Sequence, residues 1–160
     1  MIIDIARLDE DGEHLTGEDP SHILGLDPED ELLHPVAPVA WDIEAEILGT
    51  ELLVRGTVRT QFGGVCCRCG GPLAIEIQDP EFCVSVEIDD ETQEVDLTDE
   101  VRESILLALP SHPVCREDCK GLCPRCGQRL EQGDCGCEPF VSPAWEALAG
   151  LDIPPGDKES

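Results

Sequence analysis

The stretch WDIEAEILGTELLVRGTVR, residues 41–59, decides the fold because it has the pattern of two antiparallel strands joined by a tight turn. From Trp41 to Ile47 apolar residues alternate with acidic ones, as in a strand with one buried face. Gly49 and Thr50 supply a two-residue turn, and a second alternating segment follows it. The sequence therefore predicts a hairpin at the centre of an antiparallel sheet.

Working outward towards the C-terminus, the alternation continues in two more predicted strands, Leu73–Ile77 and Phe82–Ile88. Residues 96–109 then change to a helical period, and Pro110 ends the predicted helix. The apolar positions of this helix share one face: Leu97, Val101, Ile105 and Ala108. We expect an α+β fold, an antiparallel β-meander of about four to five strands with one packed helix and a C-terminal four-cysteine zinc knuckle.

The composition divides the chain into four regions. Residues 1–40 are predicted to be an acidic N-terminal strand and a loose extension, because 9–40 is rich in acids and prolines and buries little surface. Residues 41–114 form the sheet and helix, and 115–140 form a cysteine-rich zinc module. Residues 141–160 form a short helix, at 142–151, and a tail.

The net charge of −26 argues against simple electrostatic capture of nucleic acid, because neutralising phosphates requires Lys and Arg. Two explanations of this acidity stay open, a basic partner or a salt-adapted proteome. The N-terminus lacks a basic region followed by an apolar run, and the chain has no long apolar stretch. We therefore expect a cytoplasmic protein without membrane contact.

Ten cysteines in a reducing cytoplasm indicate metal ligands rather than disulfides. From Cys115 onward the spacing is C-x3-C-x3-C-x2-C-x8-C-x-C. A C-x2-C pair followed by a second close pair is typical of a four-thiolate zinc site. The sequence predicts that this zinc knuckle consists of Cys123, Cys126, Cys135 and Cys137.

The remaining cysteine pairs suggest a second zinc site, formed by Cys66 and Cys69 from the second hairpin turn with Cys115 and Cys119. Sequence alone leaves a competing set open, in which the ligands are Cys115, Cys119, Cys123 and Cys126. It also leaves open His112 as a substitute ligand. One zinc ion is thus predicted, and a second depends on this pairing. Cys67 is expected to point away from the site, and Cys83 to be a half-buried apolar residue.

No catalytic set emerges from the sequence. It contains no phosphate-binding glycine loop, no G-x-S-x-G motif and no patterned histidines. The C-x2-C pairs lack the strand-to-helix context of a thioredoxin-like motif, which argues against a thiol redox factor. We expect a protein that is not an enzyme and has no small-molecule substrate.

Positive charge is concentrated in two segments, 51–75 and 115–130. These basic residues either offset the negative charge of thiolate-bound zinc or form a small face that meets the phosphates of RNA. The candidate RNA- or partner-binding residues are Arg55, Arg59, Arg68, Arg116, Lys120, Arg125 and Arg129.

Three motifs in order, VCCRCGGPL, DLTDEVRESILLALPSHPVC and CKGLCPRCGQRL with a following CGC, resemble the YceD-like family of large ribosomal RNA subunit accumulation proteins. The resemblance covers about residues 40–151. It implies a non-enzymatic factor that supports accumulation or processing of 23S rRNA. The family's C-x-R-C motif corresponds to Cys66, Arg68 and Cys69. Its knuckle corresponds to Cys119, Cys123, Cys126, Cys135 and Cys137.

Two hypotheses about function follow. The first is a zinc-stabilised factor in large-subunit assembly whose partner is rRNA or a pre-ribosomal particle. The alternative is an acidic, chaperone-like module that binds a basic ribosomal protein without contacting RNA.

Overall fold

The computed structural model describes residues 1–8, 12–89 and 91–138. They belong to two compact units, Met1–Cys119 and Lys120–Ser160, the second described as far as Glu138. The short helix predicted at 142–151 lies outside the described residues. Within the described ranges, none of the helices has the length and apolar composition that crossing a bilayer requires.

The first unit consists of antiparallel strands and one α-helix. In chain order these are β1 (Ile2–Asp4), β2 (Glu13–Asp19), β3 (Leu33–Pro35), β4 (Val39–Leu48), β5 (Glu51–Val65), β6 (Pro72–Glu87), β7 (Glu94–Asp96) and α1 (Thr98–Leu107). Short 3₁₀ turns lie at Ile5–Arg7, at Ser21–Leu24 and, in the second unit, at Leu130–Gln132. The predicted α+β fold with antiparallel pairing is confirmed.

Strand β5 is the centre of a five-stranded sheet. One of its edges pairs with β4 and β3 and the other with β6, while β2 pairs with the free edge of β4. The β4–β5 hairpin turns at Gly49 and Thr50, as predicted, with Leu48 opposite Glu51. Gly49 has a φ of 67°, the left-handed conformation that favours glycine in such a turn. Strands β1 and β7 form a separate pair.

The two strands predicted at Leu73–Ile77 and Phe82–Ile88 are in fact one strand, β6. The sequence Asp79-Pro80 suggested a break, but the strand continues through a register shift in which Val58 pairs with Asp79 and Gly56 with Phe82. Proline cannot donate a ladder hydrogen bond, and an irregularity in an edge strand tolerates it. A single long β6 therefore carries the sheet up to the cysteine turn.

The region predicted to be a loose extension contributes two strands to the sheet. Strand β2 pairs along its whole length with β4, and β3 pairs with β5. Gly17 in β2 leaves room for the indole ring of Trp41, and Trp41 Nε1 donates to Asp19 Oδ2 at 3.0 Å. Pairing with β4 thus orders a segment whose own apolar pattern is weak.

Helix α1 packs against β5 and β6 and closes the core. Leu97, Val101 and Ile105 are fully buried there, as predicted. Ala108 is exposed instead, because the helix ends at Leu107. The core is largely aliphatic, with Phe62 and Phe82 as its buried aromatic side chains.

Candidate metal centres

The first cysteine cluster, which we call the hairpin centre, joins the β5–β6 turn to the segment after α1. The sulfur atoms of Cys66, Cys69, Cys115 and Cys119 all lie within 4.8 Å of one another. Cys66 Sγ is 3.9 Å from Cys119 Sγ, and Cys69 Sγ is 3.9 Å from Cys115 Sγ. Three of the four residues are buried, and Cys115 is exposed.

These distances fit a tetrahedral metal ion. Zinc–sulfur bonds of about 2.3 Å place the sulfurs of a tetrahedral site about 3.8 Å apart. Disulfide sulfurs would be only about 2.05 Å apart, and all of these cysteines are free thiols. The hairpin centre therefore has the ligand type and the spacing of a closed four-thiolate site.

The second cluster, which we call the knuckle centre, lies entirely in the second unit. Its sulfur atoms also lie within 4.8 Å of one another and belong to Cys123, Cys126, Cys135 and Cys137. Gly136, between the last two, has a φ of 70°. Cys123 is buried and Cys135 half-buried, whereas Cys126 and Cys137 are exposed. The knuckle centre is thus the more open of the two clusters.

The same turn builds one side of each centre. In the hairpin, Cys66 N donates to Gly71 O at 2.8 Å and Gly70 N donates to Cys66 O at 2.8 Å. In the knuckle, Cys123 N donates to Gln128 O at 2.8 Å and Gly127 N donates to Cys123 O at 2.9 Å.

Both turns have the sequence C-x-R-C-G, and both of these glycines, Gly70 and Gly127, have positive φ. The spacing of the cysteines does not require an arginine at this position. Its presence in both turns was therefore a signal in the sequence that this residue has a role of its own.

Backbone groups favour the thiolate at the first cysteine of each turn. Burial raises the pKa of the Cys66 thiol, but backbone N–H groups of Cys115, Cys69 and Arg68 outweigh it and lower this pKa to about 6. Backbone N–H groups of Cys126 and Arg125 likewise lower the pKa of Cys123 to about 6.

Other thiols of each cluster are shifted the opposite way. Burial and the neighbouring thiols raise the pKa of Cys115 to about 12. The thiols of Cys135 and Cys126 raise the pKa of Cys137 to about 12. The Cys135 pKa is also raised, because the Cys123 thiol and burial outweigh the backbone N–H of Cys137 that lowers it. Each cluster thus contains both an easily ionised thiol and thiols that hold their protons.

The structure separates the alternatives for pairing. It groups Cys115 and Cys119 with the hairpin cysteines, not with Cys123 and Cys126, and so excludes the competing set. Cys119, which the family resemblance placed in the knuckle, belongs to the hairpin centre. Among the described residues, His112 is in neither cluster.

The two cysteines outside the clusters are both exposed. Cys67 is exposed and is not part of the hairpin centre. Cys83 is exposed rather than half-buried, because it lies on the outward side of β6 opposite Arg55.

The arginines of β5 do not lie in a basic surface. Arg55 forms an ion pair with Glu44 at 3.3 Å, and Arg59 is exposed on the same outward side of the sheet. That side, which we call the acidic sheet face, carries many carboxylates: Glu18, Asp42, Glu44, Glu46, Glu51, Glu76 and Glu87. Segment 51–75 is positive in sequence, but its neighbours across the strands are negative.

The other candidate basic residues differ in their surroundings. Arg116 pairs with Asp118 at 3.1 Å. Arg68 Nη1 donates to the backbone oxygens of Glu117 and Cys119, at 3.0 and 3.3 Å. In the second unit, Lys120 and Arg125 are exposed, whereas Arg129 is half-buried and pairs with Leu122 in an isolated β-bridge.

A family model described as "Large ribosomal RNA subunit accumulation protein YceD" matches residues 79–152. This part of the chain is YceD-like. The YceD-like segment contains α1 and six of the eight clustered cysteines, those from Cys115 onward. The β5–β6 turn that completes the hairpin centre lies before it.

Longer stretches of the chain resemble mycobacterial proteins. Uncharacterized proteins of Mycobacterium tuberculosis and Mycobacterium bovis are 32% identical to it over 130 residues, which is 72% of this chain. An uncharacterized protein of Mycobacterium leprae is 26% identical over 132 residues. The alignment spans 63% of the length of the first relatives and 61% of the third. No solved structure matches the chain.

Proposed function

We propose that the protein is a zinc-binding, non-enzymatic factor that supports 23S rRNA accumulation or processing and assembly of the large ribosomal subunit in the cytoplasm. The observation that carries this proposal is the YceD-like segment, which contains the complete knuckle centre. The name of that family states a role in accumulation of large-subunit RNA. The proposal extends this role to the present chain.

The chemistry of the clusters supports zinc as the metal. Four thiolates prefer a soft or borderline ion such as Zn²⁺ over Mg²⁺ or Ca²⁺, which prefer oxygen ligands. Four protein ligands leave no open position for a substrate or an activated water, which is typical of structural rather than catalytic zinc. We therefore assign zinc a structural role at both centres.

For the contact with RNA we favour the second unit. Lys120 and Arg125 are exposed, and segment 120–129 also contains Arg129 and no acidic residue. Arg55 is a weaker candidate, since Glu44 and the rest of the acidic sheet face would repel phosphate. We propose that Lys120, Arg125 and Arg129 bind the RNA backbone.

The acidic sheet face favours the alternative partner, a basic ribosomal protein. Its outward carboxylates greatly outnumber Arg55 and Arg59, so it would attract a lysine- and arginine-rich surface. In this alternative the protein shields a ribosomal protein and does not touch RNA.

The test combines crosslinking in cells with two charge variants. The first is Lys120→Gln with Arg125→Gln, and the second is Asp42→Asn with Glu44→Gln and Glu46→Gln. Under the leading proposal, crosslinked large-subunit RNA is recovered with wild-type protein and lost with the first variant only. Recovery of a basic ribosomal protein without RNA, lost with the second variant only, would establish the alternative instead.

A further inference from the structure

Arg68 lies between two ligands of the hairpin centre, but its side chain is directed towards the loop that carries the other two. Its Nη1 atom donates to Glu117 O at 3.0 Å and to Cys119 O at 3.3 Å. Its backbone N–H helps to lower the pKa of the Cys66 thiol. One residue therefore connects both halves of the cluster.

These contacts cross a large separation in the sequence. Arg68 and Cys119 are 51 residues apart, and the backbone adds one more link, from Cys67 N to Pro113 O at 3.0 Å. The loop itself offers little regular structure, since residues 111–119 contain no helix or strand. A hydrogen bond from a charged donor is stronger than one between neutral groups. The guanidinium is thus well placed to fix the position of Cys119 relative to Cys66 and Cys69.

The positive charge of Arg68 should also stabilise a metal ion at the hairpin centre. A zinc ion held by four thiolates carries a net charge of about −2, and a nearby guanidinium offsets part of it. Outer groups that orient metal ligands are a general feature of metal sites. We propose that Arg68 is a positioning residue of the hairpin metal centre, and that it is not a residue that contacts RNA. This inference rests on the proposed zinc binding.

Arg125 provides a natural comparison because it occupies the equivalent position of the knuckle turn. Its backbone N–H helps to lower the pKa of the Cys123 thiol, as that of Arg68 does for Cys66. Across residues 1–8, 12–89 and 91–138, however, the Arg125 guanidinium makes no hydrogen bond or ion pair. The same motif therefore uses one arginine to hold a loop and leaves the other exposed to solvent.

The experiment measures zinc affinity of the full-length protein by competition with a chromogenic chelator, using Cys66→Ser with Cys69→Ser to assign the hairpin zinc. In Arg68→Ala we expect the hairpin zinc to bind about 10- to 100-fold more weakly, while the knuckle zinc is unchanged. Arg125→Ala should leave the affinity of the hairpin zinc unchanged, because Arg125 belongs to the knuckle turn. Arg68→Lys should recover part of the loss, because an ammonium group donates to the same two carbonyls.

Four results would overturn the inference. Unchanged hairpin affinity in Arg68→Ala would do so, as would Arg68→Lys behaving no better than Arg68→Ala. The third is loss of RNA crosslinking in Arg68→Ala with both zinc affinities intact. The fourth, wild-type protein that binds no zinc at the hairpin centre, would also remove the second zinc site from the proposed function. The first three results would leave the proposed second zinc site intact.

Discussion

Gly17 shows how a single missing side chain orders a strand. The indole ring of Trp41 occupies the space where a Cβ atom at position 17 would lie. The ring can therefore approach β2 closely and donate from Nε1 to Asp19. A glycine in an acidic segment looks like a loop residue, but here it permits close packing.

Gly17→Ala should destabilise the protein by about 1–3 kcal/mol, because the new methyl group overlaps the Trp41 ring and forces it away from β2. Urea unfolding followed by circular dichroism measures the change. Thr16→Ala, at the next, exposed position of β2, is the control and should change stability by less than about 0.5 kcal/mol. Equal effects of the two substitutions would contradict this account.

The thiols of the two centres should make the proposed zinc binding dependent on pH. Cys115 and Cys137, with pKa values of about 12, hold their protons at neutral pH in protein without metal. Zinc must displace these protons, so its apparent affinity should rise between about pH 6 and about pH 8. Calorimetry in buffers of different ionisation enthalpy measures the number of protons released. Binding without proton release would be inconsistent with the raised pKa values.

At the scale of the elements, the β5–β6 hairpin joins the sheet to a cysteine cluster. Strand β6 pairs with β5 over Glu51–Val65, apart from the register shift between Gly56 and Val58, so a long ladder holds the turn that joins the two strands. The turn presents Cys66 and Cys69, and the segment after α1 brings Cys115 and Cys119. Removing either cysteine pair should therefore remove one metal ion and leave the sheet in place.

Cys66→Ser with Cys69→Ser should reduce bound zinc from two equivalents to one, as measured by elemental analysis of the purified protein. The matched control is Cys67→Ser with Cys83→Ser, which removes the two exposed cysteines outside both clusters and should keep two equivalents. Two equivalents in the first variant would mean that the hairpin cluster does not hold zinc.

The elements that the sequence predicts correctly are those whose pattern is local. Alternation and the Gly49-Thr50 turn are sufficient for the β4–β5 hairpin, and the apolar face of α1 is sufficient for its burial. Strand β2 could not be predicted, because it has only Leu15 as a large apolar side chain and depends on pairing with β4. The continuity of β6 could not be predicted for a similar reason, because it depends on pairing with β5 on both sides of Pro80.

At the scale of the whole molecule, the two units rely on different sources of stability. The first has an aliphatic core enclosed by the sheet and α1. The described part of the second has one 3₁₀ turn, one isolated β-bridge and the knuckle centre. Under the proposed zinc binding, metal ligation supplies most of the stability of residues 120–138.

Removal of the metal by a chelator should unfold the second unit before the first unit. In hydrogen exchange with and without a strong chelator, the amides of Cys123, Gly127 and Leu130 should lose protection first, because the turn that bonds them is held by the metal ligands. Amides of Val54 and Val58 in the buried sheet should stay protected. Simultaneous loss of protection in both groups of amides would contradict the prediction that the two units unfold separately.

The grouping of the cysteines shows where sequence reasoning stops. Short spacing is enough to predict the knuckle, since all four of its cysteines fall within residues 123–137. The hairpin centre depends on which distant pairs meet, and only the path of β6, β7 and α1 decides that. The role of Arg68 depends on the same path, because its carbonyl partners lie in the returning loop.

The hairpin centre also ties metal uptake to the order in which the chain is synthesised. Cys66 and Cys119 are separated by 53 residues, and the intervening polypeptide forms β6, β7 and α1. Closing so long a loop costs conformational entropy, and the pairing of β6 with β5 and the packing of α1 offset that cost. A nascent chain that has produced only Cys66 and Cys69 has half a site. Under the proposed zinc binding, this centre can fill only after β6, β7 and α1 have been synthesised, whereas the knuckle centre needs only the short segment 123–137.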